Sequence, residues 1–307
     1  MRALVVSGGG SKGAFAGGVA EYLLQACNFQ YDLFVGVSTG SLLVPLLALG
    51  EIDRLRELYT NVNQKDIFST CPVRVRRQKD GSFRTRIHHA NIVKMFIRGR
   101  KTFGESFHLR ELIDRNLTEA DYQRLIDLPK EVLVTVSNLS TQEVEFKNQH
   151  SWRRKDFLDW MWLSANLIPF MSLGEKNGYL YADGGIGTHL PLQEAIHRGV
   201  SEIDAIVQRP PRRSMIRKTP SNVFGLLMET FDFALNQISY KDEALANCQG
   251  ALREVQIRYY YTPDHLTDNP LIFDRDQMQT WWKEGYEHAQ KTNPYCQIVP
   301  PNPPSSR

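Results

Sequence analysis

Cysteine is scarce in this chain, and no long apolar run occurs in it. Only four cysteines, Cys27, Cys71, Cys248 and Cys296, stand among 307 residues. They are scattered, with no Cys-x-x-Cys pair and no histidine in ligand spacing, which argues against zinc or another bound metal. Reduced thiols and a cytoplasmic location are therefore expected. No stretch reaches the roughly 18 apolar residues that a membrane span requires. The apolar run within Met1 to Gly10 is far too short for a signal peptide. Neither sign of charge dominates: a net charge of +3 is too small to imply a nucleic-acid partner. Internal repeats and linker-like stretches are also missing, so a single domain is expected over residues 1–299. The tail at 300–307, with four prolines and two serines, is expected to be flexible.

What is present is ample material for a core, with hydrophobic residues at 42%, an ordinary globular share. Arg2 to Ser7 is a compact apolar run suited to a strand buried on both faces of a parallel sheet. Gly8-Gly9-Gly10-Ser11-Lys12-Gly13 follows, and Ala14 to Gln25 then repeats apolar residues at helical spacing through Phe15, Val19, Tyr22 and Leu23. A second strand precedes Gly36-Val37-Ser38-Thr39-Gly40, and an apolar helix runs from there to about Leu49. This β-α-β-α opening predicts a three-layer α/β/α fold with a mostly parallel central sheet. Further strands are expected at Glu131 to Ser137 with an antiparallel return at Gln142 to Phe146, at Tyr179 to Ala182, at Ile203 to Val207 and at Val255 to Thr262. Helices are expected at Glu51 to Asn61, in two pieces across Phe107 to Asp127 with Thr118 and Asp121 as a capping pair, and at Arg153 to Asn166. Pro191 to Arg198, Asn222 to Cys248 (as one long helix or two) and Asp274 to Ala289 complete the helical set.

Gly-x-Ser-x-Gly alone is weak, since it should occur by chance in roughly one chain in ten of this length. Between a strand and a helix it becomes a candidate nucleophile elbow, where Gly36 and Gly40 permit a sharp turn that lifts the Ser38 hydroxyl above the sheet. Ester hydrolysis through a serine also needs a base and donors for the oxyanion. Bare amides of the loop Gly8, Gly9, Gly10, Ser11, Lys12 and Gly13, beside the second strand, can supply donors, and the Thr39 N–H can add another. The base is less legible. Of eight histidines, only His189, six residues past Asp183, stands in a tempting place for a triad. Asp183 ends a strand before Gly184 and Gly185, but an aspartate near its usual pKa is a poor base unless burial raises it. The glycine loop also fits a dinucleotide fingerprint, although Asp32 begins the second strand where that motif wants an acid at its end. A Walker A loop is excluded by the spacing around Lys12.

Between Cys71 and Lys101 ten basic residues face the single acid Asp80. Val73 to Arg86 alternates around Asp80-Gly81, a hairpin signal. This basic segment is either an ordinary solvated hairpin or a face for anionic headgroups. The aromatics of Arg153 to Asn166, Trp160 and Trp162 among them, are either core or an acyl-chain wall. Arg209 to Lys218 reads as a basic, proline-bearing loop.

Gly8 to Gly13, Gly36 to Gly40 and Asp183-Gly184-Gly185 resemble, in order and spacing, the patatin-like phospholipase family. The block Leu163 to Pro169 and Pro191-Leu192 after the aspartate are similar to it as well; the resemblance covers about residues 3 to 208. It implies a Ser–Asp dyad without histidine, with Ser38 as nucleophile, Asp183 as base and Gly8 to Gly13 as the oxyanion loop. It implies lipid acyl hydrolase chemistry of the phospholipase A type, with no metal and no cofactor. The expected partner is a phospholipid or another acyl ester met at a membrane surface, with no nucleic acid. Ser7 stands where many members carry Asp, which is expected to change local hydrogen bonding and leave the donors in place. A soluble carboxylesterase or thioesterase, or an idle lipid-binding module of the same fold, are the alternatives.

Overall fold

The computed structural model describes residues 1–79, 83–211, 223–267 and 269–293. The turn expected at Asp80-Gly81, the part beyond residue 211 of the loop expected at Arg209 to Lys218, Cys296 and the tail expected to be flexible at 300–307 lie outside the described residues. In chain order the opening elements are β1 (Arg2–Val6), α1 (Gly13–Glu21), β2 (Leu33–Val37), α2 (Thr39–Ala48), α3 (Ile52–Asn61) and α4 (Gln64–Ile67). An antiparallel ribbon follows, β3 (Val73–Arg77) with β4 (Phe83–Ile87), and then α5 (His89–Ile97), α6 (Phe107–Asn116) and α7 (Glu119–Asp127). β5 (Glu131–Asn138), β6 (Glu143–Asn148), α8 (Arg154–Ser164), β7 (Gly174–Lys176) and β8 (Tyr179–Asp183) form the middle. The chain closes with α9 (Leu192–His197), β9 (Glu202–Val207), α10 (Val223–Arg253), β10 (Gln256–Tyr261) and α11 (Arg275–Thr292).

Among the described residues eight strands form one sheet in the order β10-β9-β1-β2-β5-β8-β7, with β6 also pairing β5. Contacts from β10 to β5 are parallel and those of β6, β7 and β8 antiparallel. Alternate residues of each strand enter opposite layers, as a strand's period of two demands. Leu4, Val6, Phe34 and Val134 pack with α1, α2, α8 and α11, whereas Ala3, Val5, Leu33 and Val35 pack with Leu192, Ala195 and Ile196 of α9. This is the three-layer α/β/α arrangement expected. Local signals set several boundaries: the Thr118 and Asp121 side chains cap each other's backbone at the start of α7. The apolar spacing of α1 ends in a wider π-helical turn, Tyr22–Ala26.

The topology around β5 positions the site. β6 pairs β5 from Leu133 to Asn138 and so occupies one edge throughout. β2 pairs β5 up to Val37↔Thr135. β8 pairs it from Asp183↔Val136 onward, running the other way. With β6 on the far edge, β2 and β8 must share the near edge, end to end. Their carboxyl ends therefore meet at the Thr135–Val136 step.

One expectation is corrected. Cys27 is disulfide-bonded, whereas Cys71 and Cys248 are free. Spacing in sequence does not reveal which cysteines the fold brings within about 6 Å with their Cβ atoms facing each other, as a bridge requires. No helix among the described residues is long and apolar enough to cross a membrane.

Candidate active site

β2 ends at Val37 and the chain turns at Ser38, where φ is 54° and ψ −122°. Residues with a Cβ seldom adopt such a conformation, and it persists only where the surroundings enforce it. Close backbone approach explains the flanking glycines. A Cβ on Gly36 would lie 2.5 Å from the Gly40 backbone, and one on Gly40 would lie 2.1 Å from the Val6 carbonyl oxygen. The turn is further held by two serines. The Ser38 N–H donates to Ser164 Oγ at 3.0 Å, and Ser41 Oγ donates to the Gly36 carbonyl at 2.7 Å. With the Ser41 proton so committed, Ser164 donates in the 2.8 Å contact between the two hydroxyls.

Across the β2/β8 junction the Ser38 hydroxyl donates to Asp183 Oδ2 at 2.6 Å. The Gly185 N–H donates to the other carboxyl oxygen at 2.8 Å. Gly184 lets β8 approach β5 closely, since a Cβ there would lie 2.3 Å from the Thr135 carbonyl oxygen. Asp183 is 4% exposed. Burial pushes its pKa up to about 6, against the opposing pull of the Ser38 hydroxyl and the Gly185 amide. Desolvation thus moves the carboxyl in the direction that a base for a serine requires.

The glycine loop lies against Ser38: a Cβ on Gly8 would sit 3.0 Å from Ser38 Cβ and 3.6 Å from its Oγ. Within the loop, the Ser11 N–H donates to the Pro270 carbonyl at 2.9 Å, and the Lys12 N–H to the Gly9 carbonyl at 3.2 Å. The Gly13 N–H turns back to the carbonyls of Gly10 and Ser11. The amides of Gly8, Gly9 and Gly10 are left without acceptors among the described residues. Thr39, first residue of α2, likewise has no intrahelical acceptor for its N–H. Within the loop, the amides without an acceptor among the described residues are thus those of its first three glycines. Ser7 ties the loop to β9 by accepting the Gln208 N–H at 2.8 Å and donating to the Gly8 carbonyl at 3.2 Å. The Gly10 carbonyl is held by Thr39 Oγ1 at 3.0 Å and by the Tyr59 hydroxyl at 2.6 Å.

Among the described residues no histidine is hydrogen-bonded to Ser38 or Asp183. His189 is nevertheless close, with Nε2 3.5 Å from the position a Gly8 Cβ would take. Its Nδ1 is buried without a partner among the described residues. Burial, aided by the nearby charges of Lys12 and Arg209 and opposed by Asp232, pulls its pKa down to about 3, so the ring is neutral. The Asp242 carboxylate fixes its loop by accepting the N–H groups of His189 and Leu190 at 2.8 and 2.9 Å.

A cavity of about 160 Å³ opens at Ser38 and Asp183. Its walls are mostly aliphatic, with Leu42, Leu46, Leu55, Leu58, Val62, Ile67, Leu109, Ile113, Leu117, Met161 and Leu167, while Lys12, His189, Gln208, Arg209, Asp232 and Asn236 contribute its polar side. Met161 of α8 lines this cavity; Trp160 is buried in the core and Trp162 stacks on Phe107. Sequence reasoning gave no role to Ser164, Gln208, Tyr59 or the wall residues of α3 and α6. Only the position of Gln208, at the end of a strand expected to be parallel, hinted at the site. No group of His, Cys, Asp and Glu able to hold a metal occurs among the described residues.

No curated protein sequence matches the chain. Among solved structures it is similar to VipD from Legionella pneumophila, at 15% identity and a TM-score of 0.48, covering 95% of this chain and 66% of that one. The chain thus spans just under two thirds of the length of VipD. The model of the family described as patatin-like phospholipase matches residues 4–196. Matched over more than half its length, the chain belongs to the patatin-like phospholipase family, a family of lipid hydrolases.

Proposed function

We propose that the protein hydrolyses lipid acyl esters with Ser38 as nucleophile and Asp183 as its base, within one domain spanning residues 1–299. The observation that carries this reading is the 2.6 Å bond from Ser38 to a buried carboxyl at the opening of an aliphatic cavity. As Ser38 Oγ attacks the ester carbonyl carbon, Asp183 takes the hydroxyl proton. The oxyanion is met by amides of Gly8, Gly9 and Gly10, with Thr39 at the start of α2 adding the helix's positive end. Collapse breaks the ester C–O bond: the alcohol portion leaves with the proton from Asp183, and the acyl group stays on Ser38 as an acyl-enzyme. Water then attacks the acyl carbon as Asp183 accepts its proton; the Ser38 Oγ–acyl bond breaks, Asp183 returns the proton to Oγ, and the free fatty acid departs. The aliphatic cavity suits an acyl chain better than a small polar acid. The one-domain reading is supported by β10, which extends the sheet beside β9, and by α11, whose Trp282 lies directly against Gly17 of α1.

The test is mass spectrometry of fatty acids released from mixed phospholipids by wild type, Ser38→Ala and Asp183→Asn. Both variants should fold and release none. Release undiminished in either would remove the reading, and turnover confined to short, water-soluble esters would favour a carboxylesterase.

A further inference from the structure

The β3–β4 ribbon carries an arrangement that an isolated hairpin disfavours. Its register sets Arg74 opposite Arg86 and Arg76 opposite Arg84. All four are exposed, while Val73, Val75, Phe83, Thr85 and Ile87 turn to the less exposed side. Like charges directly opposite one another destabilise a strand pair. None of the four has an acidic partner among the described residues; the neighbouring Arg77 does, bonding Asp276 at 2.7 Å. A face of four guanidinium groups, uncompensated among the described residues, is complementary to an anionic surface.

An apolar feature adjoins it. α5 starts directly after β4 and is pinned to the base of the ribbon, with the His88 N–H on the Pro72 carbonyl and Asn91 Nδ2 on the Cys71 carbonyl, each at 2.8 Å. Along its second half Val93 is 54% exposed, Phe96 56% and Ile97 81%, with Lys94, Arg98 and Lys101 exposed around them. Aliphatic and aromatic tips ringed by cations suit the boundary between lipid headgroups and acyl chains. A polyanion such as nucleic acid offers nothing for Ile97 to enter. This surface is also continuous with the cavity wall. Phe96 contacts Phe103, Phe103 contacts Phe170, and Phe170 contacts Phe231 of α10, at centroid distances of 6.2, 6.3 and 5.6 Å. Met171, next to Phe170, and Leu235, one turn beyond Phe231, line the cavity.

We infer that the arginine face of the β3–β4 ribbon and the exposed end of α5 dock the protein on an anionic lipid bilayer, with Ile97 and Phe96 entering below the headgroups. The choice of a bilayer rests on the lipid-hydrolase reading above; the need for an anionic partner rests on the cross-strand arginines alone. Docking there would hold the cavity beside the layer from which an acyl chain must be drawn.

The experiment uses the full chain carrying Ser38→Ala, floated with vesicles of phosphatidylcholine alone or with about a third phosphatidylserine. Anionic vesicles should be bound and neutral ones much less, with binding weakened by salt. Replacing Arg74, Arg76, Arg84 and Arg86 by Gln should weaken binding at least about a hundredfold, since each basic residue near such a surface contributes a factor of a few. Ile97→Asp should cost about tenfold, because a carboxylate cannot follow the isoleucine into the acyl region. In the Ser38-containing protein, the same substitutions should leave hydrolysis of a soluble nitrophenyl ester unchanged. Undiminished vesicle binding by the four-fold Gln variant overturns the inference, as does tight binding to duplex DNA with none to vesicles. Loss of nitrophenyl ester turnover in wild type would instead count against the hydrolase reading, so the two failures are separable.

Discussion

The hydroxyl of Ser164, the last residue of α8, accepts the backbone N–H of Ser38 at 3.0 Å. Its own proton goes to Ser41, which in turn holds the Gly36 carbonyl. The positive-φ conformation of Ser38 is thus supported by a residue 126 positions away. Ser164→Ala leaves a part-buried amide without its acceptor, a loss of about 1 kcal/mol. Urea denaturation should read that loss, and ester turnover should fall with it as the elbow relaxes. An unchanged midpoint with unchanged turnover would show that the hydroxyl does not hold the turn.

Gly8→Ala separates folding from chemistry. The added methyl would meet Ser38 Cβ at 3.0 Å and stand 3.6 Å from Oγ, in the space where a substrate oxygen must enter. The loss in melting temperature should be modest, whereas kcat should fall about a hundredfold, because the methyl keeps the substrate oxygen from donors that are each worth about that much.

Asp183 predicts two opposite pH effects. With its carboxyl raised to about 6, kcat/KM for a soluble ester should fall as pH drops through about 6, because the protonated acid cannot accept the Ser38 proton. Stability should run the other way. The folded chain holds this proton more tightly than the unfolded chain, whose aspartate titrates near 3.9. The group therefore loses stability for the fold as pH rises from about 4 to about 6, and the deficit is complete above that. Asp183→Asn should be inactive yet more stable than wild type at about pH 8, by on the order of 3 kcal/mol, with the gap closing toward pH 4. Calorimetry at both pH values checks this.

His189→Asn should reduce turnover less than about tenfold, since the hydroxyl proton of Ser38 is already directed to Asp183. Because the imidazole is neutral near pH 7, the variant should also keep the acid limb of the pH profile unmoved. A loss equal to that of Ser38→Ala would restore a histidine triad.

Much of the scaffold was legible from local chemistry. Apolar runs and their periods located the strands and helices, Thr118 and Asp121 announced their cap, and the glycines around Ser38 announced a turn too tight for Cβ atoms. These signals survive in sequence because each depends on residues within a turn or two of one another. The exposed arginines of the ribbon were legible as charge, but their pairing of like with like needed the register.

The sequence by itself determined the strand-loop-helix units, a serine turned out at the head of a helix and an aspartate at a strand end. Tertiary structure alone decided that β2 and β8 share one edge of β5, which brings Ser38 and Asp183 to 2.6 Å. It also decided the burial that raises the carboxyl, the Ser164 support and the bonded state of Cys27. The reason is physical: periodicity and turn chemistry act between near neighbours in the chain, whereas desolvation, strand-edge sharing and side-chain pairing depend on which distant segments pack together.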